Sequence, residues 1–507
     1  MTTFLSISFI VYLAIVLALE IGTTYTFFAC FAFLFFVLLI VLWRRCSKRS
    51  IPIMQNTKWM CSKQNEHYST FLLFFLCLSL TVVYWLAYLP GGFNLDAFGQ
   101  WDQVHGLQPY NDWHPLLSTL LIKVILSVYD SFYFYILVQI ILFSVSLTFL
   151  FKSLHDAGFS FKLLIIIACY IGISPAVGLN TICMTKDVQF TILVICLTTC
   201  FIRIISSNGG WFNNLWHLFA LGLLSGMTML VRHNGLFFVV PALLIIMGYY
   251  KSKIKQLLTV ILIIAISIFM IKVPISLALN VTSHENVIGE SVGIPMGIMG
   301  NALITDRKNL PTEVHVFLNE IAPDAEWEKH YVIGEWDSCK WEFGGTELLR
   351  NVSFQEILLH TYNTIKSCPQ AAYISFRENT RIVWDIFQTR SFWIPEEYIA
   401  PNDVGITAST IPFFHNVTEH LKTISLLPIL NITIWNTGLQ MAVVLLVYCL
   451  NYKRIKKESV LLFLPLLIYN IGTMLLLAGP NQRYFYCNAV LFLPVLIMLL
   501  KEGKQHE

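Results

Sequence analysis

The stretch FLLFFLCLSLTVVYWLAYLPGGFNLDAFGQWDQVHGLQPYNDWHP, residues 71–115, changes character in its middle. Up to Leu89 it is an apolar run of the length a helix needs to cross a hydrocarbon core of ~30 Å. From residue 89 to residue 115 it gathers three Asp, two His and three Gln. The whole chain is 56% hydrophobic and only 12% charged, with 38 Phe. An ordinary soluble domain carries about twice that share of charge. Apolar runs like the one before Leu89 recur from end to end, and the mean hydropathy is +0.67. These features predict an all-α polytopic membrane protein, and the polar loop after Leu89 then needs a reason of its own.

Working outward, we read spans near residues 4–20, 24–43, 70–89, 132–151, 162–179, 188–205, 213–231, 235–250, 257–279, 433–451, 459–478 and 484–500. That is about twelve helices, with ends uncertain by a few residues. The first run reads as a span and not a removable signal peptide, because no basic residue precedes it and no small-residue cleavage site closes it. The basic clusters RRCSKR (44–49), KSKIK (251–255), KRIKK (453–457) and KEGK (501–504) fix the orientation. With both termini cytoplasmic, all four fall on the cytoplasmic side, as the positive-inside rule requires. Residues 115–128 are short for a span and Lys123 interrupts them, so they are expected to form a helix in the outer interface.

Three units follow: a transmembrane module over 1–279 with an external loop at 90–130, an extracytoplasmic domain at 280–432, and C-terminal helices with a short cytoplasmic tail over 433–507. The middle region holds 19 of the 30 acidic residues against 10 Lys and Arg. Its aromatic-rich stretch at 370–395 can rest one face on the membrane or on the helix bundle. Most of the 12 cysteines lie in apolar runs and read as small hydrophobes. Cys339 and Cys368 lie in the polar region and can pair, a point that spacing alone leaves open.

The unusual polar segments are residues 90–114, NTICMTKDVQF (180–190), VRHNG (231–235) and AGPNQRYFY (478–486). On this topology each lies at the external end of a helix. Together they bring Asp96, Asp102, His105, Asp112, His114, Lys186, Asp187, Arg232, His233 and Arg483 to one membrane face. Charges near hydrocarbon depth are costly and mark sites or pathways, although each alone is equally an ordinary solvated turn residue. Asn94 is a candidate N-cap for a helix that puts Asp96, Gln100 and Gln103 on one face. Trp101 and Trp113 suit an interfacial aromatic belt or sugar stacking.

No Gly-rich phosphate loop, HExxH or CxxC pair is present, so nucleotide-driven and zinc-hydrolase chemistry has no anchor. What remains is carboxylates opposite Lys and Arg at a lipid-facing interface. An acceptor hydroxyl needs a general base, while a lipid phosphate leaves without a proton donor and needs cations. Asp96 as base, with Arg232 and Arg483 as phosphate clamps, fits that division.

PGGFNLDAFGQW (90–101), DWHP (112–115), KD (186–187) and RYFY (483–486) resemble motifs of a bacterial branch of the GT-C glycosyltransferase superfamily. That superfamily includes the protein O-mannosyltransferases and the lipid A aminoarabinose transferases. The resemblance covers residues 70–280 and 433–500 in outline. It implies a GT-C-like fold, a polyprenyl-phosphate sugar donor, and Asp96 near the acceptor. It also implies that Lys186 and Asp187 either contact the donor phosphate or pair with each other, and that Arg483 and Tyr484 sit where a late basic residue holds the lipid phosphate. The mannosyltransferase Asp-Glu pair is absent, since Ala97 follows Asp96. Whether Asp96 acts alone or with Asp102 therefore stays open.

The expected catalytic residues are Asp96, Asp102 and His114. Gln100, Trp113, Lys186, Asp187, Arg232, His233, Arg483 and Tyr484 are expected to bind substrate. No cofactor is expected. A divalent ion on Asp96, Asp102, His105, Asp112 and His114 is an open alternative, although their spacing matches no defined ligand pattern. The expected partners are membrane lipid, the lipid-linked donor, and a glycan, lipid or protein acceptor, with no nucleic acid. A lipid-linked glycan ligase or polymerase is a competing function. So is a transporter or flippase, but the chain shows no repeated halves and its charges gather at one face instead of the midplane.

Overall fold

The computed structural model describes residues 63–282, 289, 291–340, 342–343, 349, 352–388 and 399–502. The expected spans at 4–20 and 24–43 lie outside them. Among the described residues every regular element is a helix, and extended pairing is limited to isolated bridges.

The bundle is built from α1 (Lys63–Ala87), α2 (Leu95–His105), α3 (Leu116–Val128), α4 (Phe132–Asp156), α5 (Phe161–Ile173), α6 (Pro175–Thr181), α7 (Lys186–Ser206), α8 (Leu215–Val231), α9 (Leu236–Tyr249) and α10 (Ile254–Met270). Helix α1 packs on α4, α4 on α7, and α8 on α10. Each expected span from residue 70 onward falls on a helix or helix pair, but their lengths differ. Among the described residues, five helical stretches are long and apolar enough to cross a membrane: Tyr68–Ala87, Phe132–Asp156, Lys186–Ser206, Lys251–Ala278 and Gln482–Lys501. Counting two bent pairs makes up to seven. One pair is α5 and α6, bent by 63°. Pro175 starts the second member, and the residue before a proline is disfavoured in the α region, so Ser174 breaks the helix. Leu215–Val231, at 17 residues, reaches only about 26 Å, short of a ~30 Å core.

Helix α10 shows what surrounds the bundle. It buries Leu257, Val260 and Ile264. Leu258, Ile261, Leu262, Ile266 and Phe269 are exposed, an apolar face too continuous for water.

A second lobe follows with α11 (Gly293–Thr305), α12 (Thr312–Ile321), α13 (Asp324–His330), α14 (Asp337–Lys340), α15 (Phe354–Ser367) and α16 (Pro369–Trp384). Its own core gathers Met299, Val314, Leu318, Trp327, Trp336, Cys339 and Cys368. Helix α12 enters it through Val314, Phe317, Leu318 and Ile321, the spacing of one helical face. Cys339 and Cys368 are free thiols buried in this core, so the pairing left open by their spacing is not made.

The remainder is α17 (Pro412–Ser425), α18 (Pro428–Ile434), α19 (Thr437–Asn451), α20 (Leu464–Met474) and α21 (Tyr486–Glu502). Residues 399–411 and α17 do not join the core of the second lobe. They run back along α1: Ala400 N donates to Phe93 O, Ser409 N to Leu89 O, and Tyr88 Oη to Glu419 Oε1 at 2.5 Å. The expected single unit at 280–432 is thus a lobe followed by a strap on the bundle. Helix α16, from the aromatic-rich stretch at 370–395, rests on α19 and α20; residues 389–398 lie outside the described ones.

Candidate active site

Two glycines position the polar loop. A Cβ on Gly91 would lie 2.7 Å from Ile182 O, and one on Gly92 would lie 2.5 Å from Cys183 Sγ. With neither present, Gly92 N donates to Ile182 O and Met184 N to Gly92 O, both at 2.9 Å. The 182–184 segment leads directly into Lys186 and Asp187, so this bridge sets the first motif against the second. Phe93 is fully buried and pairs on its other side with Ile399 of the strap.

The Asn94 side chain accepts from Ala97 N at 3.1 Å and starts α2, as expected. Gly106, at φ 73°, ends it. Asp96 sits in the first turn. Gln100 and Gln103 are buried beneath it.

The segment after α2 returns through Tyr110–Asp112, which pairs with Thr282: Thr282 N donates to Tyr110 O at 3.0 Å and Asp112 N to Thr282 O at 3.3 Å. Helix α3 then packs between α2, α4 and α8. Its Lys123 donates to Tyr110 Oη at 2.7 Å.

These elements enclose a cavity of about 390 Å³, within the ~300–1,000 Å³ typical of small-ligand sites. Its charged walls are Asp96, Asp112, Asp337, Lys186, Arg232, Lys340 and Arg483; Leu476, Leu477 and Ala478 give an apolar wall. Trp113, His114, His233 and Tyr484 complete the expected set that reaches it. Four sequence-distant segments therefore do converge.

Inside, charges alternate. Asp96 Oδ2 lies 2.7 Å from Arg483 Nη1, and Arg483 Nε lies 3.7 Å from Asp187 Oδ2. Asp187 pairs in turn with Arg232. Both guanidinium groups lie over the Tyr484 ring, at 4.7 Å for Arg232 and 5.0 Å for Arg483. Arg483 Nη2 donates to Tyr484 Oη at 3.2 Å. Lys186 Nζ and His114 Nδ1 are 3.3 Å apart. The Nε groups of Arg232 and Arg483 are buried and have no hydrogen-bond partner among the described residues. For Arg483 Nε the Asp187 carboxylate at 3.7 Å supplies the compensating charge.

Asp96 keeps about a third of its side chain open to the cavity. Burial among protein would raise the pKa of its carboxyl, but Arg483, His114 and Lys186 outweigh that and hold it well below the usual carboxylate range. Asp96 is therefore ionised, and its proton affinity is suppressed while Arg483 stays on it.

Three expectations need correction. Asp102 does not reach the cavity; it accepts from Gln108 Nε2 at 2.8 Å near the exposed end of α2. Gln100 does not face the cavity either. Its Nε2 donates to Ser118 and Thr119 at 3.0 and 3.2 Å and fastens α2 to α3. Helical spacing put Gln100 on the Asp96 side, but burial against α3 claimed it. Asp187 is 3% exposed, engages two arginines and does not line the cavity. His105 turns to Asp130 at 3.0 Å, so the open set of metal ligands is split. Among the described residues no three His, Cys, Asp or Glu side chains gather to hold a metal.

The sequence did not mark Asp337 and Lys340. Trp336 N and Asp337 N both donate to Ala478 O, at 2.7 and 3.1 Å, which docks α14 over the cavity. Lys340 is 3% exposed and pairs with Asp337 at 2.6 Å. An acid and a base three residues apart in a polar region give no signal that distinguishes them from a solvated helix face.

The chain matches no family model, no curated protein and no solved structure.

Proposed function

We propose that this chain is a multi-pass membrane glycosyltransferase of GT-C type that moves a sugar from a polyprenyl-phosphate carrier to an acceptor hydroxyl. The observation that carries the proposal is one cavity lined by both the Asp96 carboxylate and the cations Lys186, Arg232 and Arg483. On the twelve-span topology with both termini cytoplasmic, the cavity opens at the external face of the cell membrane.

The chemistry follows from the charges. Asp96 takes the acceptor proton as the acceptor oxygen attacks the anomeric carbon. The bond from that carbon to the phosphate oxygen breaks, its electron pair stays on phosphate, and the configuration inverts. Arg483 and Lys186 stabilise the departing phosphate. His114, beside Lys186, restrains that ammonium. Trp113 offers a stacking face for the sugar, and Leu476–Ala478 an apolar wall beside the start of the prenyl chain. The acceptor is a glycan, a lipid or a protein, and Asp337 and Lys340 bring the second lobe within reach of it.

The test is transfer from radiolabelled polyprenyl-phosphate sugars by the purified protein in lipid, comparing wild type with Asp96→Asn. Loss of transfer with carrier binding retained supports the base assignment. Full activity in the variant removes Asp96 from the chemistry. A wild type that transfers nothing but moves the carrier between leaflets is a flippase.

A further inference from the structure

The two arginines of the site are not equivalent. Arg232 is 5% exposed, pairs with the buried Asp187, and lies between the Tyr484 and Phe190 rings at 4.7 and 5.8 Å. Pulling it away would strand a buried carboxylate, a costly step. Arg483 carries the ion pair at the cavity wall: its Nη1 holds Asp96, whose carboxylate is the more open of the two acids on the ladder. Arg483 Nη2 donates to Tyr484 and its Nε faces Asp187, so a phosphate that reaches Arg483 competes with Asp96 for Nη1.

Resting on the function proposed above, we propose that the Asp96 carboxylate occupies the place of the donor phosphate on Arg483. Donor binding exchanges one for the other, while Asp187 and Arg232 stay fixed as a positioning pair. The exchange explains how a carboxylate tied to an arginine becomes a base. Once Arg483 moves to phosphate, Asp96 loses its closest cation, keeps His114 and Lys186 nearby, and gains a neighbouring anion; the loss and the new anion both favour proton uptake. Acceptor activation is thereby coupled to the presence of donor, so an empty site does not hold a free base beside water.

The exchange makes a counterintuitive prediction. The probe is a short-chain polyprenyl monophosphate without sugar, titrated into protein in nanodiscs of zwitterionic lipid. Asp96→Asn removes the competing charge and is expected to bind the probe about tenfold more tightly than wild type, while Arg483→Gln binds it at least tenfold more weakly. Wild-type binding with Asp96→Asn equal or weaker overturns the exchange and leaves the proposed function standing. No binding by the wild type at all sinks that function and the exchange with it. A second readout does not depend on a variant folding. Carbodiimide labelling of Asp96 in the wild type, followed by mass spectrometry, should rise severalfold when the monophosphate is added. Unchanged or reduced labelling overturns the exchange.

Discussion

Removing one charge from the Asp187–Arg232 pair should destabilise the protein more than removing both. The two residues are 3% and 5% exposed, so neither charge can be recovered by water. Breaking a buried pair from one side costs about 3–5 kcal/mol, because it leaves an uncompensated charge. In Asp187→Asn the amide oxygen still accepts a hydrogen bond, and Arg232 keeps its two aromatic faces. The expected loss is therefore at the lower end, about 3 kcal/mol. In Arg232→Gln the cation left beside the stranded Asp187 among the described residues is Arg483, whose Nε lies at 3.7 Å. A loss of about 3–4 kcal/mol follows. The double variant carries a neutral Asn–Gln pair of similar size and should lose only about 1–2 kcal/mol, since exchanging a buried ion pair for neutral groups is often nearly neutral. Reversible unfolding in lipid–detergent bicelles of the wild type, both singles and the double completes the cycle. A double variant that loses the sum of the singles, or singles within about 1 kcal/mol of wild type, would refute the claim that these charges are buried and mutually dependent.

Two further outcomes are expected. Gly92→Ala puts a methyl 2.5 Å from Cys183 Sγ, so it should cost about 1–3 kcal/mol by overpacking and lower any activity of the site; Cys183→Ala in the same chain should recover part of the thermal stability, and a neutral Gly92→Ala would contradict the close approach. Burial pushes the thiols of Cys339 and Cys368 up to about 11, so in the folded protein neither should react with iodoacetamide at pH 8, whereas both should label without reductant once unfolded; failure to label after unfolding would mean that they are bonded to each other.

Much of the bundle was legible because its physics is local. An apolar run and a basic cluster are properties of neighbouring residues, and the expected spans from residue 70 onward land on helices or helix pairs. Lengths were less legible. Ser174 before Pro175 breaks one run, and where α8 ends against the VRHNG turn is decided by packing: a Cβ on Gly235 would lie 2.2 Å from Thr228 O. The α2 cap at Asn94 was readable, whereas the fate of Gln100 was not. Hydrogen bonds to Ser118 and Thr119 are made across a return of the chain that no helical wheel contains.

By itself the sequence determined that the chain is helical and apolar, that its polar residues sit in four short segments, and that these belong together. Charge in so apolar a chain is expensive, and its placement is therefore informative. Only the tertiary structure decided who meets whom. It set Arg483 between Asp96 and Asp187, buried Arg232 behind them, turned Asp102 and His105 away, and brought Lys340 from the second lobe to the same cavity. Ion pairing falls off within a few ångströms and depends on burial, and neither distance nor burial between residues 96, 187, 340 and 483 is written in their order along the chain.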